Sequence, residues 1–178
     1  MKIGIDISQL AYQNTGVANY LRELVEHLVE QDRENDYVLF FSSLRKRIKN
    51  QESRIKEINQ NVIFKNFMFP PSILDLLWNR LHIMPIEDLI GDVDIFITSD
   101  WTEPPVKKAK KMTILYDLIV YKHPEETAKR IVDTQKRKLT WVKKEESQIL
   151  CISEATKRDA IDILGINEQR LKVIYPGV

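Results

Sequence analysis

Cysteine is almost missing from this sequence: Cys151 is the only one in 178 residues. A disulfide framework is excluded, and a reducing compartment is the expected setting. Long apolar runs are missing too. No stretch approaches the ~20 residues of a membrane span, and Met1-Lys2-Ile3 leads into a strand-like segment rather than a signal peptide. A cytoplasmic protein is the expectation. Glycine is scarce, at five residues, and neither G-x-G-x-x-G nor GK[ST] occurs. That argues against an NAD-type loop and against a Walker loop. His27, His82 and His123 show no metal-ligand spacing. No Ser-His-Asp or Cys-His order can be defended.

What is present is globular. Apolar residues make up 43% and charged residues 30%, which excludes disorder. A chain of this length fits one domain and buries roughly 70% of its unfolded surface. The formal net charge of +1 hides a separation. Residues 1–106 carry 11 basic and 16 acidic side chains, a net of −5; residues 107–144 carry 12 and 4, a net of +8; residues 145–178 carry 4 and 6, a net of −2. The basic middle attracts phosphate-bearing partners.

Strands alternate with helices along the chain. Lys2–Ile7, Tyr37–Ser42, Val62–Phe67, Asp94–Thr98, Lys111–Tyr116, Gln148–Ile152 and Leu171–Tyr175 read as short strands rich in β-branched residues. Helices are predicted at Val17–Gln31, along a stripe of Leu44, Ile48, Ile55 and Ile58, from Pro71 to about Leu81, at Pro124–Glu146 and at Ser153–Leu164. Order between Phe67 and Gly91 is the least defined. Strands apolar on both faces fit an α/β, Rossmann-like, doubly wound and mostly parallel sheet of about seven strands with helices on both faces.

Ligands of such sheets bind beyond the carboxyl ends of the strands. That rule selects the loop Ser8–Gly16, the segment Ser99–Pro105, the pair Tyr116-Asp117 and the turn Ser153-Glu154. Gly16, at a helix N-terminus behind Asn14 and Thr15, lets a phosphate approach free N–H groups and the helix dipole, or is simply a turn glycine. Asp117 can orient a hydroxyl or act as a base, or cap a turn. Ser153 and Glu154 read equally as an N-cap with a dipole-complementing acid. Cys151 reads as inert core.

The predicted helix Pro124–Glu146 carries its basic excess in order. Lys129 and Arg130, Lys136 and Arg137, and Lys143 and Lys144 recur every seven residues, close to two turns, with Trp141 at the edge of the row. Such a face suits an anionic membrane surface, or is a solvated face with Glu126–Arg130 and Asp133–Arg137 pairs. Nucleic acid is disfavoured, because no basic-aromatic sheet surface accompanies it.

Three stretches together resemble one family. The opening KIGIDISQLAYQNTGVANYLRELVEHL, the segment ILYDLIVYKHPEE and the end ILCISEATKRDAIDILGINEQRLKVIYPGV resemble the N-terminal half of retaining group 1 (family 4-type) glycosyltransferases of the two-Rossmann-domain GT-B fold. The resemblance spans the whole chain through the order and spacing of the three. It implies transfer of a hexosyl or mannosyl-type sugar from a nucleotide-sugar donor to a saccharide or lipid-linked acceptor, without a metal. It also implies that residues 1–178 form a single acceptor-side domain, inactive alone, whose nucleotide-sugar domain is missing. Carried onto this sequence, Gly16 and Val17, with Thr15 and Asn14, lie near the donor diphosphate. Asp117 and Tyr116 occupy the catalytic His-Asp pair, and Ser153 and Glu154 begin the helix behind the cleft; Asp100 and Trp101, in the segment that the sheet-edge rule selects, are the further candidates for substrate binding. Two residues depart from the pattern: the family's glycine-arginine is Ala18-Asn19 here, and its histidine is Tyr116. Tyr116 can donate a hydrogen bond but cannot carry imidazolium charge near neutrality. The alternative is a non-catalytic module that pairs with a partner protein or an anionic membrane.

Overall fold

The computed structural model describes residues 1–12 and 14–176. Gln13, in the first loop, and Gly177-Val178, which close the Tyr-Pro-Gly-Val segment, lie outside the described residues. The strands are β1 (Lys2–Asp6), β2 (Asp36–Ser42), β3 (Val62–Phe67), β4 (Ile95–Thr98), β5 (Lys110–Leu115), β6 (Gln148–Cys151) and β7 (Leu171–Val173). All pair in parallel, in the order β3-β2-β1-β4-β5-β6-β7. The helices are α1 (Gly16–Gln31), α2 (Lys49–Ile58), α3 (Pro71–Leu74), α4 (Glu87–Ile90), α5 (Ile119–Lys122), α6 (Lys129–Lys144) and α7 (Glu154–Leu164). The expected doubly wound α/β sheet is what forms.

The period-two alternation of a strand places β2 in two cores at once. Tyr37, Leu39 and Phe41 join Ile3, Ile5 and the α1 residues Tyr20, Leu21, Val25 and Val29 on one face. Val38 and Phe40 join Phe96, Trp78, Ile86 and Ile90 on the other. A third cluster packs α6 and α7 on β6 through Leu139, Val142, Ile149, Cys151, Ala160 and Leu164. Burial pushes the Cys151 thiol up to about 11, so it is inert as expected.

Gly4 makes the second core possible. A Cβ built there would meet Phe96 Cδ2 at 2.7 Å and Ile90 Cδ1 at 3.1 Å. Gly4→Ala is therefore expected to destabilise the fold by about 1–3 kcal/mol through overpacking. Urea denaturation checks it; an unchanged midpoint contradicts the packing described.

Two predicted helices are shorter than expected. The stripe beginning at Leu44 forms a helix only from Lys49, and Leu44 is exposed. Ser43 Oγ accepts from the Lys46 N–H at 3.1 Å. This local turn competes with the helix, and Arg45-Lys46-Arg47 would oppose the dipole at its N-terminus. Likewise the helix expected from Pro124 begins at Lys129. Pro124–Glu126 instead closes a tight 3-10 turn, and the backbone is extended at Thr127. Between Phe67 and Gly91, α3 runs on into a π-helical turn, Asp75–Arg80, which turns Trp78 and Asn79 inward. α7 is capped as read: Ser153 Oγ accepts from the Thr156 N–H at 3.1 Å, and Gly165 closes it in the left-handed region at φ 64°.

Candidate active site

The strand order reverses direction between β1 and β4, and the crevice at such a switch point opens beyond the carboxyl ends of the strands. A cavity of about 150 Å³ lies there, lined by Val17, Asp100, Trp101, Tyr116, Asp117, Gln135 and Lys138 among others. The structure thus brings together five residues singled out in the sequence: Val17 from the start of α1, Asp100-Trp101 after β4, and Tyr116-Asp117 after β5.

Each is held by a local device. Thr15 is the N-cap of α1: its Oγ1 accepts from the Ala18 N–H at 3.2 Å and donates to the Tyr12 carbonyl at 3.0 Å. Asn14 takes a left-handed φ of 68°. Gly16 opens the helix, with nothing within 4 Å of a Cβ placed on it. Space is therefore free for a ligand above the helix N-terminus. Asp117 Oδ1 accepts from the Ile119 N–H at 3.0 Å while the residue stays exposed. It caps a turn and still presents carboxylate to the cavity. Asp100 Oδ1 accepts from Gln135 Nε2 at 2.7 Å.

Tyr116 is the most telling group. Its ring packs edge-on against Tyr20 at 5.7 Å. The residue is 8% exposed, and its hydroxyl is buried with no hydrogen-bond partner among the described residues. Burial, helped by nearby Asp100, raises its acidity range far above the ordinary one, so the phenol is a neutral donor at any working pH. A buried unpaired hydroxyl costs free energy, and the residue that carries this one lines the cavity.

Behind the cavity lies a buried ionic cluster. Lys138, 2% exposed, donates to the Ser99 carbonyl and faces Glu103, Asp100 and Asp6. Burial pushes its amine below the ordinary range, with those carboxylates opposing. Burial pushes the Asp100 carboxyl up, with Lys138 and Gln135 opposing, and pushes Asp6 up against its Ser8 hydrogen bonds. Glu103 is fully buried; it accepts from Thr98 Oγ1 at 2.7 Å and pairs with Lys111 Nζ at 3.0 Å. Lys111 is further paired with Glu145. Glu103 falls within the selected segment Ser99–Pro105 without being named there, and Asp6, Lys111, Gln135 and Lys138 were not singled out from the sequence. One signal was available: Lys138 lies four residues from both Thr134 and Val142, on the inward stripe of α6.

Other expected site residues stand apart. Ser153 and Glu154 do not line this cavity; they cap α7, whose Thr156 Oγ1 donates to the Tyr116 carbonyl at 3.0 Å. Their link to the site is support for the β5 end. The basic row on α6 is also not a uniform free face. Arg137 donates to Asp75 at 2.8 and 3.0 Å, and Lys136 sits over the Tyr121 ring at 5.1 Å. Trp141 stacks on His82 at 3.6 Å and donates to the Asn79 carbonyl, so it is engaged with the body of the protein. The observed i,i+4 pair is Lys129–Asp133 at 2.8 Å, and Arg137 reaches Asp75 rather than Asp133. Lys129, Arg130, Lys143 and Lys144 remain exposed.

His123, Glu125 and Glu126 bring ligand atoms within 4.8 Å of one another on the exposed surface. Exposed acids at that spacing do not by themselves define a metal site. Among the described residues no helix is long and apolar enough to cross a membrane.

Fold and cleft define an α/β domain with a cavity at the carboxyl edge of a parallel sheet. The family model for Glycosyltransferase Family 4 matches residues 14–178, and the chain belongs to that family. No curated protein matches significantly. Among solved structures, a short-chain dehydrogenase from Oenococcus oeni PSU-1 aligns over 99% of this chain and 96% of its own, at 10% identity and a TM-score of 0.41. That level of likeness carries no functional argument.

Proposed function

We propose that this chain is the acceptor-side domain of a retaining, metal-independent glycosyltransferase of two-Rossmann-domain architecture. It positions a saccharide or lipid-linked acceptor for sugar transfer from a nucleotide-sugar donor held mainly by a second domain. The observation that carries this reading is the convergence of Asp100, Tyr116 and Asp117 with the open N-terminus of α1 in one cavity. Two carboxylates and a neutral phenol at one point suit the orientation of sugar hydroxyls. The helix N-terminus beside them favours the donor's diphosphate. Lys129, Lys143 and Lys144 can hold the complex near an anionic inner membrane face.

Three groups divide the work. Asp100 accepts a hydrogen bond from the acceptor hydroxyl, and Gln135 fixes its direction. Tyr116 donates to an oxygen of donor or acceptor, a role supported by its hydroxyl having no partner among the described residues. Asp117, capped on one oxygen, offers the other to a second sugar hydroxyl.

Tyr116→Phe separates this from a purely structural role. The variant removes a hydroxyl that has no protein partner, so folding stability is expected to hold or rise, by at most about 1–3 kcal/mol. Transfer is expected to fall about tenfold or more, the effect of losing one hydrogen bond to a developing charge. Thermal melting with steady-state kinetics on the two-domain protein checks both. A stability loss with unchanged kinetics contradicts the assignment.

The second reading, a binding module without catalysis, is favoured by Tyr116 standing where relatives carry histidine. It is separated from the first by whether the reading frame continues past Val178 into a second α/β domain.

A further inference from the structure

We propose that the acceptor is a phosphate ester bearing an apolar tail, and that Arg80, Arg130 and Arg137 hold its phosphate in a second cavity beside the site. The proposal rests on the glycosyltransferase reading and adds the chemistry of the acceptor to it.

The second cavity is about 840 Å³ and lies between α3 with its π-helical extension and the start of α6. That volume is within the ~300–1,000 Å³ that takes a whole small molecule rather than an ion. Three guanidinium groups line it, and Asp75 is the only carboxylate among its lining residues. Asp75 is shared: Arg137 binds it bidentately at 2.8 and 3.0 Å, and Arg80 Nε sits at 3.3 Å. Burial would push its carboxyl up, but hydrogen bonds from Asn79, Arg137 and Arg80 hold it below the ordinary range. The wall therefore keeps a positive excess near neutrality. Arg130 is exposed and has no carboxylate partner among the described residues. Guanidinium forks match phosphate oxygens in geometry as well as charge, and fixing Arg137 on Asp75 lowers the entropy lost on binding.

Apolar residues stand in the same lining, among the polar Tyr12, Ser72, Thr102 and Thr134. Leu76 is 46% exposed, and Pro71 and Ile131 lie with it. Exposed aliphatic surface next to an arginine cluster fits a ligand with an anionic head and a hydrocarbon tail. The two cavities share Trp101 and Ile131 as a common wall. The Trp101 indole N–H is buried with no partner among the described residues. Across that shared wall, an acceptor held by its phosphate at the arginines extends towards Asp100 in the first cavity.

Calorimetric titration of the 178-residue chain tests this. The ligands are geranyl diphosphate, inorganic pyrophosphate, geraniol and uridine diphosphate; phosphatidylglycerol vesicles form a separate arm. Geranyl diphosphate is expected to bind saturably, at least tenfold tighter than pyrophosphate or geraniol. Arg130→Ala and Arg80→Ala should each weaken it at least fivefold with melting unchanged, while Lys129→Ala should not. Four results overturn the proposal: no saturable binding; equal loss in Arg130→Ala and Lys129→Ala; uridine diphosphate binding as tightly through the same arginines, which makes the cavity a donor site; and vesicle binding that the same variants abolish while soluble geranyl diphosphate does not compete, which assigns the arginines to a bilayer. The titration needs neither donor nor turnover. Its failure therefore leaves the sugar-transfer reading to be judged on product formation.

Discussion

Lys138→Met is expected to lower the stability of the chain by about 3–5 kcal/mol, the cost of breaking a buried ion cluster on one side. Methionine keeps the length and most of the volume of the side chain, so the cavity term is small. What is lost is the ammonium. Lys138 is the charge that faces Glu103, Asp100 and Asp6 together, and it donates to the Ser99 carbonyl. Without it, Glu103 keeps Lys111 but Asp6 and Asp100 lose their opposing charge, and both, already pushed up by burial, move further up. A carboxyl whose folded pKa is raised costs stability once the pH climbs past its unfolded value. The destabilisation of Lys138→Met should therefore shrink as pH falls towards about 4. At neutral pH the melting midpoint should drop by roughly 6–20 °C for a chain of this size. Lys136→Met, on the outer side of the same helix, should stay within about 0.5 kcal/mol. Equal effects of the two substitutions would show that the cluster is not a structural unit.

Asp100→Asn is expected to leave the fold intact and to cut sugar transfer by about 10²–10⁴-fold. Asparagine keeps a carbonyl oxygen for the 2.7 Å bond from Gln135 Nε2, so the loop after β4 holds its shape. It removes the negative charge that draws the acceptor hydroxyl. The acid limb of the wild-type pH profile should lie above the ordinary carboxylate range, because burial pushes Asp100 up and the group works only when ionised. In the variant that limb should vanish. Calorimetric melting alongside a pH series of kcat/KM reads both halves; an unchanged acid limb in Asp100→Asn removes Asp100 from the chemistry.

The frame of the fold was legible because strands buried on two faces leave an unambiguous pattern. Tyr37-Val38-Leu39-Phe40-Phe41 feeds two cores in alternation, and a continuous apolar run is the only way to do so. The sheet-edge rule then reached Asp100, Trp101, Tyr116 and Asp117 without any knowledge of tertiary contacts. What it could not reach was pairing across elements. Periodicity placed Arg137 on an outward row, whereas Asp75, on a π-helical turn 62 residues earlier in the chain, draws it into a cavity wall. Lys138 and Glu103 carry charge into the interior because each meets its opposite there, and single-residue patterns do not show partners. The start of α6 was missed for a local reason, the 3-10 turn that Pro124 nucleates.

The central claim is that the cleft holding Asp100, Tyr116 and Asp117 serves sugar transfer. Its most direct measurement is nucleotide release and glycosylated product formed from a panel of common nucleotide sugars by a protein that joins this chain to the proposed second domain, wild type beside Asp100→Asn. The account predicts transfer or slow donor hydrolysis with at least one donor, lost in the variant. Absence of both with every donor, or activity indifferent to Asp100, would contradict it.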